Sequence, residues 1–449
     1  MFRNTVTVIL TAYLLLAAGV PVALSQEKVL SLREAIAYSM EGNPELRAAG
    51  HGLRAQGEEI RIARSYALPK LTFEERFMRT DNPTYAFMAK LNQGRFTAQD
   101  FDIHALNNPA AVNDFQTGLS FEAPLFAPKI FISIDMAKKE FSALSEGLER
   151  KKEEVAFRVL KAWLGIQTAR AYVNAAAKGV EDAREHLRLA EAGYNAQLGL
   201  YSDILRARVA VSACEEKLVT ANKNLSLAKR ALGLMLGLRE SVDATEERPA
   251  FTLNSLEYYE NLLASRKDLK SLEIKRQNAG NMLRMAEAGY YPTVGVGGSI
   301  QTNDHNRPFG SEGQSWQAGA FLRWELFDGT RREHERKKAL AKMAETDEYL
   351  DGLKKELSFN VYEAYLGVEE AQKGLDLARS ALQAAEEGNR LVTVRYKNAL
   401  STIADLLDVQ TSLDSSRAGV VERESAYLTA MANLGFQSGS ILRDLGVGK

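Results

Sequence analysis

Slid against itself by 202 residues, this 449-residue chain matches its own sequence. Ala162-Trp163-Leu164-Gly165 falls on Ala364-Tyr365-Leu366-Gly367, Ala169 on Ala371, Tyr194 on Tyr396, Asp203 on Asp405, Ala228 on Ala430, and Leu232-Gly233 on Leu434-Gly435. Upstream the offset becomes 223, so that Leu46 meets Leu269 and Pro69 meets Pro292. The first copy therefore carries about twenty extra residues between Pro69 and Leu125. They include TDNPTYAFMAKLNQGRFTAQDFDIHALNNPAAVND, a stretch whose Asn, Asp and Pro content reads as a loop. A repeat of this length constrains the fold more than any composition, because whatever one half builds the other builds too.

Each copy reads as helix, strand, loop, strand, very long helix, turn, helix. In the second copy Leu350, Leu353, Leu357, Val361, Ala364, Val368, Ala371, Leu375, Ala378, Leu382, Ala385, Val392 and Tyr396 recur mostly at spacings of three and four. The first copy has Val159, Ala162, Ile166, Ala169, Val173, Ala176, Val180, Ala183, Leu187, Ala190 and Tyr194 in matching places. A sustained period near 3.5 means helices that coil around neighbours, and alanine at the seam means close approach. Residues 330–398 as one helix would be roughly 100 Å long at ~1.5 Å per residue, too long for a globular domain. The helices alone also fit a long coiled-coil tether.

The strands are the discordant element. In SWQAGAFLRWELF (315–327) Trp316, Ala318, Ala320, Leu322, Trp324 and Leu326 fall on one face. Gln317, Gly319, Arg323 and Glu325 fall on the other, with Phe321 as the exception. FQTGLSFEAP and TVGVGGSIQ alternate in the same way, and LTFEERFM does so with Glu75 as an interruption. About ten residues of alternating character is the length that crosses a bilayer as a tilted strand. Trp316 and Trp324 would then lie roughly 20 Å apart along the membrane normal, near the spacing of two aromatic girdles. The alternative is a small water-soluble sheet packed on the helices.

Composition narrows the classes. Hydrophobic content of 45% with 26% charge excludes a disordered chain and a helical membrane protein. A net charge of −1 without a basic block argues against nucleic acid. Residues 1–25 read as a secretory signal: Arg3, the apolar TVTVILTAYLLLAAGV, then Ala23-Leu24-Ser25 as the cleavage site. The other reading is an N-terminal anchor. No cysteine follows that run to take a lipid, and the single Cys214 reads as a small core residue. His51, His104, His186, His305 and His334 are scattered, no metal-ligand spacing or phosphate loop is present, and no enzyme, metal site or cofactor is expected.

Four strands cannot close a barrel around water, and open edges do not survive in lipid. The barrel must be shared, and three copies give twelve strands. This arrangement resembles the TolC family of outer-membrane efflux proteins over essentially the whole mature chain. The opening LSLREAIAYSMEGNPELRAA (30–49), the junction WELFDGTRREHE (324–335) and the doubled tips carry the resemblance. The fold class it implies is an α+β membrane protein with a two-fold internal repeat. Long antiparallel helical hairpins form a trimeric α-barrel, and four strands per chain enter a shared twelve-stranded transmembrane β-barrel. The implied function is the outer-membrane channel of a tripartite efflux or type I secretion system. It would be a passive homotrimeric duct that receives substrate from an inner-membrane pump through a periplasmic adaptor protein. A periplasmic coiled-coil scaffold is the alternative.

The expected segments are the signal (1–25), a periplasmic helix (26–66), β-barrel strands with a surface loop (67–128) and a long hairpin (129–238). An equatorial segment with the second copy's first helix (239–289), two further strands (290–328), a second hairpin (329–437) and a tail (438–449) follow. The resemblance places a periplasmic gate at Ser202, Asp203, Tyr396, Asp405 and Asp408. Ser401 stands where some members have a locking arginine. Adaptor-contacting tips would be Leu198-Gly199-Leu200 and Asn398-Ala399-Leu400, and outer-membrane lipid would meet the girdle of Trp316 and Trp324. Asp405 and Asp408, three apart, share a helix face, and repeated threefold they would form stacked carboxylate rings. Asp203 and Asp405 also open helices, where an acid stabilises the N-terminal dipole.

Overall fold

The computed structural model describes residues 28–247 and 249–447. The expected signal segment lies outside the described residues. The first copy runs β1 (Lys28–Leu30), α1 (Leu32–Gly42), α2 (Pro44–Ser65), β2 (Lys70–Thr80), α3 (Pro83–Asn92), α4 (Ile103–Asn107), β3 (Val112–Phe126), α5 (Pro128–Asn195) and α6 (Tyr201–Met235). The second runs β4 (Val242–Ala244), α7 (Leu256–Leu262), α8 (Lys267–Glu287), β5 (Thr293–Asp304), β6 (Gly313–Arg323), α9 (Arg331–Lys397), α10 (Ile403–Ser438) and α11 (Ile441–Asp444).

Both long helices form as the seam pattern requires. α5 has 68 residues and α9 has 67, each roughly 100 Å at ~1.5 Å per residue. Val159, Ile166, Ala169, Val180, Ala183 and Ala190 are buried along α5, and Leu357, Val361, Ala364, Val368 and Leu375 along α9. In the half nearer the sheet the packing order is α2, α5, α8, α9; in the far half it is α6, α5, α10, α9. α2 thus continues the line of α6, and α8 continues that of α10.

The two end-to-end joints are built alike. At the first, Asn43 Nδ2 donates to Met235 O at 2.9 Å, and Gly237 (φ 79°) brings its backbone against Gly42. At the second, the Arg266 guanidinium donates to Gln437 O, and Gly439 (φ 79°) lies against the Arg266 side chain. Residues 235 and 437, and 237 and 439, are one repeat apart. The left-handed φ favours glycine at both positions, and at Gly237 a Cβ would also strike the Gly42 carbonyl. The main core lies beside the first joint, around fully buried Trp163, Leu160, Ile166, Leu232 and Leu236, with Trp163 Nε1 donating to Leu30 O at 3.1 Å. The small parallel pair β1–β4 borders it.

The four long strands form one antiparallel sheet in the order β2-β3-β5-β6. Register places Leu71, Phe73 and Phe77 beside Phe121, Leu119 and Phe115, and Ile300 beside Trp316, all on one face. Arg76, Gln116, Asn303, Ser299 and Gln317 share the other. Phe321, the exception in the alternation, lies over Gly295, where a Cβ would press into its ring. Glu75, the charged interruption, accepts from Thr117 Oγ1 at 2.5 Å and from Phe309 N at 3.3 Å.

Two expectations need correction. The extra segment of the first copy is not a loop: it folds into α3, a 3-10 turn (Ala98–Phe101) and α4. Asn82 caps α3 through Thr84 N and Tyr85 N, Pro83 takes the first helical position, and Ala86 and Ala89 bury against Val112. Capping chemistry and burial override the loop-like composition. Strand β6 also ends at Arg323, so Trp324 and Leu326 are not strand residues. The chain leaves the ladder there because Arg332 pulls the connector into a turn, donating to Glu325 O at 2.9 Å and Leu326 O at 3.0 Å and pairing with buried Asp328 at 3.2 Å.

Candidate functional site: the hairpin tips

The far ends of the hairpins are two turns of one design. α5 passes to α6 through a residue with φ 62° at Gln197, and α9 passes to α10 through one with φ 54° at Ala399. These positions are one repeat apart. In each, a leucine amide closes the helix end: Leu198 N donates to Gly193 O at 2.9 Å, and Leu400 N to Arg395 O at 2.8 Å. A non-glycine residue in this region costs about 1–2 kcal/mol, so both tips hold strain. Leu198, Leu200 and Leu400 are all strongly exposed. The expected tip residues Leu198-Gly199-Leu200 and Asn398-Ala399-Leu400 all lie in these turns.

The helices that leave the tips are capped unequally. Asp405 Oδ2 accepts from Thr402 N and Thr402 Oγ1, both at 2.8 Å, while Thr402 Oγ1 accepts from Asp405 N at 3.2 Å. This is a complete capping box, and those donors hold the Asp405 carboxyl below the usual carboxylate range. In the first copy Leu200 stands where Thr402 would be, and Asp203 makes the single bond to Leu200 N at 3.2 Å. Asp408 is exposed one turn further along α10. Ser202 is exposed as well. Ser401 Oγ is buried without a partner.

An apolar cluster ties the two tips together. Ala190, Ile204, Ala207, Ile403 and Leu406 are buried in it, with Leu187, Val392, Leu407 and Tyr396 packed alongside. Burial pushes the Tyr396 hydroxyl up, and the nearby Asp203 charge adds to this. Tyr396 of the second copy and Asp203 of the first are therefore neighbours across the hairpins, and the structure brings together these two of the expected gate residues.

Further along the same seam lies a polar cluster that periodicity did not reveal. Arg417 of α10 reaches Asp182 of α5 at 2.7 Å and Asp414 at 3.5 Å. Gln410 Nε2 donates to Asp414 Oδ1 at 2.9 Å and to Asp182 Oδ2 at 3.4 Å. Burial raises the Asp414 carboxyl, with Gln410 and Arg417 opposing it. His186 is buried nearby, and burial lowers its pKa against the opposing pull of Asp182 and Glu185. Cys214 of α6 is buried as expected, its thiol pushed up by burial.

At the other end of the molecule Asp304, His305 and Glu312 bring ligand atoms within 4.8 Å of one another, the one such group among the described residues. Sequence spacing did not flag it, since Glu312 is reached only through the β5–β6 turn. Its groups are already engaged: Asp304 Oδ1 accepts from Asn306 N and Arg307 N, and His305 Nδ1 lies 2.7 Å from Glu312 Oε2. The expected girdle residues are both exposed, with Trp316 on β6 and Trp324 just past it, its Nε1 donating to Tyr290 O at 3.1 Å.

Known proteins share this architecture. The fold is similar to that of the outer membrane protein VceC of Vibrio cholerae, with a TM-score of 0.73 over 93% of this chain and 96% of that one at 19% identity. Among curated proteins, the alkaline protease secretion protein AprF of Pseudomonas aeruginosa is 21% identical over 91% of this chain and 84% of its own. Nodulation protein T of Rhizobium leguminosarum bv. trifolii is 23% identical, over 58% of each chain. The sequence profile described as "Outer membrane efflux protein" matches twice, at residues 36–238 and 258–440, once for each copy of the repeat. An outer-membrane placement and a non-enzymatic role agree with that match, and the chain belongs to the outer membrane efflux protein family.

Proposed function

We propose that three copies of this chain form a passive duct through the outer membrane, continued by the helical hairpins across the periplasm. The observation that carries this reading is the bare apolar face of the sheet. Leu71, Phe73, Leu119, Phe121, Ile300, Trp316 and Leu322 are between 42% and 78% exposed, and no long helix packs over them. A soluble scaffold would cover such a face; lipid does so for a barrel. The opposite face, with Arg76, Gln116, Ser299 and Gln317, suits a wet lumen.

The free edges support closure by further copies. β2 and β6 end the sheet, and α6 and α9 end the helical layer. Both outer helices carry unpaired apolar side chains, Val209, Val219 and Leu227 on α6 and Tyr349, Phe359 and Leu377 on α9. The continuous α2–α6 edge meeting the α9 edge of the next copy buries both sets, α2 opposite Tyr349 and Phe359 and α6 further out, while β6 meets β2, and three such steps give twelve strands and twelve helix lines. In this reading the exposed tip leucines contact a periplasmic adaptor that links the duct to an inner-membrane pump. Asp405 and Asp408 then ring the narrow end with Ser202, Asp203, Tyr396 and Ser401 around them. Whether small molecules or proteins pass is a property of the pump; AprF is a secretion protein, whereas the family description names efflux.

The test is the mass of the detergent-extracted protein from outer membranes, by light scattering corrected for bound detergent. A trimer is expected. A monomer would remove the shared-barrel reading.

A further inference from the structure

The helical insertion of the first copy covers the polar face of the sheet, not its apolar face. Ala86 and Ala89 of α3 bury against Val112, which lies on the same face as Asp114 and Gln116. Gln93, just past α3, donates from Nε2 to Asn113 O and to Asp114 Oδ1, both at 2.8 Å. Asn303 Nδ2 donates to both Asp114 oxygens at 3.0 Å. Gly313 of β6 abuts the Asn92 carbonyl and leaves no room for a Cβ. Val112, Asp114, Asn303 and Gly313 all belong to the face of Ser299 and Gln317, at the end of the sheet away from the hairpins. The segment is braced internally by Lys90–Asp100 at 2.8 Å and by edge-on contacts of Phe96 with Phe87 and Phe101.

The side of α3 turned away from the sheet is apolar. Met88 and Leu91 are 52% and 48% exposed there, and Tyr85, at the border of the buried face, is 56% exposed. A helix facing a water-filled lumen has no reason to present these residues unless something covers them. We propose that they are covered by the same residues of the two other copies, so that three α3 helices meet on the threefold axis and plug the outer mouth of the barrel. This rests on the trimeric barrel proposed above.

The dimensions fit. Twelve strands ~4.8 Å apart and tilted ~40° enclose a circle of roughly 12 Å radius. Three helices in contact at ~8–10 Å between axes each lie about 5 Å from their common axis. That leaves roughly 7 Å between helix axis and wall, closer than a helix with large side chains allows. Ala86, Ala89 and Gly313 are the residues that permit it. The threefold repeat brings the equivalent helix of each neighbour to the same axis, and that helix is the occupant.

The test uses the full-length protein in outer membranes, with Leu91→Cys or Met88→Cys introduced; the native Cys214 is buried. Mild oxidation is expected to yield a disulfide-linked dimer on non-reducing gels, the product of one bond among three cysteines on an axis. Before oxidation, a membrane-impermeant maleimide added to cells should label the new cysteine at least tenfold more slowly than an Ile103→Cys control, since Ile103 is exposed outside α3. A protein that is trimeric by light scattering yet gives no dimer and labels at the control rate overturns the plug alone. A protein that is not trimeric overturns the duct as well.

Discussion

Arg417 bridges Asp182 and Asp414 in the seam between the two hairpins, with Lys178 3.8 Å from Asp182, and replacing it with methionine should loosen the tips. Arg417 and its two carboxylate partners are between 16% and 20% exposed. Removing one member of a fully buried ion pair costs about 3–5 kcal/mol, and of an exposed pair ~0–1 kcal/mol. With one-fifth exposure and with Gln410 still bonded to both acids, about 2 kcal/mol is the expected loss. That corresponds to roughly 30-fold more frequent local opening, at ~1.4 kcal/mol per tenfold. Amide hydrogen exchange across the adjoining turns of α5 and α10 measures it. The effect should depend on pH. Asp414 has a raised folded-state pKa, so the folded tip holds that proton more tightly than the unfolded one. Stability from this group is therefore full at low pH and is lost as pH rises from the unfolded pKa to the folded one. Loss of the Arg417 charge moves the upper end of that window further up, so mild acidification should retighten Arg417→Met more than the parent. Adding Asp414→Asn should restore slow exchange at neutral pH. If exchange in Arg417→Met is unchanged, or if Asp414→Asn brings no recovery, the cluster does not hold the hairpins together.

Three further outcomes are expected. Trp316→Asp should lower the yield of trimer in outer membranes by several-fold, at a cost of about 1–2 kcal/mol per chain for a charge facing lipid, while Gln317→Asp on the other face should not; equal yields on a denaturation-resistant gel would mean that the two faces do not meet lipid and lumen. Asp405→Ala with Asp408→Ala should abolish divalent-cation block of single channels applied from the tip side. Block that persists would leave Asp405 with its capping-box role only, worth about 0.3–1 kcal/mol for an acid in the first turn. Finally, amides at the start of α6 should exchange about tenfold faster than those at the start of α10, because Leu200 cannot complete the box that Thr402 completes; matching rates would show that the cap is not what limits fraying.

What the sequence disclosed was whatever is periodic or repeated. The heptad-like seams located α5 and α9, and the alternation of Ile300, Gly298 and Val296 against Ser299 and Gly297 located a strand and its two faces. The acids at the helix starts were legible too, since Asp203 and Asp405 open helices, whereas Thr402, which completes the box with Asp405, was not singled out. The helices of the insertion were missed because their commitment comes from burial: Ala86 and Ala89 are unremarkable in sequence and decisive against Val112. The Asp182–Arg417 bridge was missed because it joins residues 235 apart at positions that the repeat does not pair. The end of β6 before Trp324 was missed for a similar reason, since Arg332 acts from beyond the turn.

The two copies agree in geometry and differ in chemistry at the same few places. Both joints between stacked helices use a left-handed glycine and a side-chain donor to a helix-end carbonyl, yet the donor is Asn43 in one and Arg266 in the other. Arg266 also pairs with Asp268, which lies 3.4 Å from Arg150, and at the first joint the matching acid, Glu45, pairs with Arg158 at 2.7 Å and Lys151 at 3.3 Å, so both joints carry a charge network and differ in the group that caps the helix-end carbonyl. At the tips the pattern is the same: one turn shape, with a full capping box on α10 and half of one on α6. A uniform tube wall needs only equal backbone geometry from each hairpin, and equal spacing of small residues at the seams supplies it. Unequal fastening does something the wall does not need. With half a cap, the start of α6 is expected to fray more readily than the start of α10, where Thr402 and Asp405 satisfy each other.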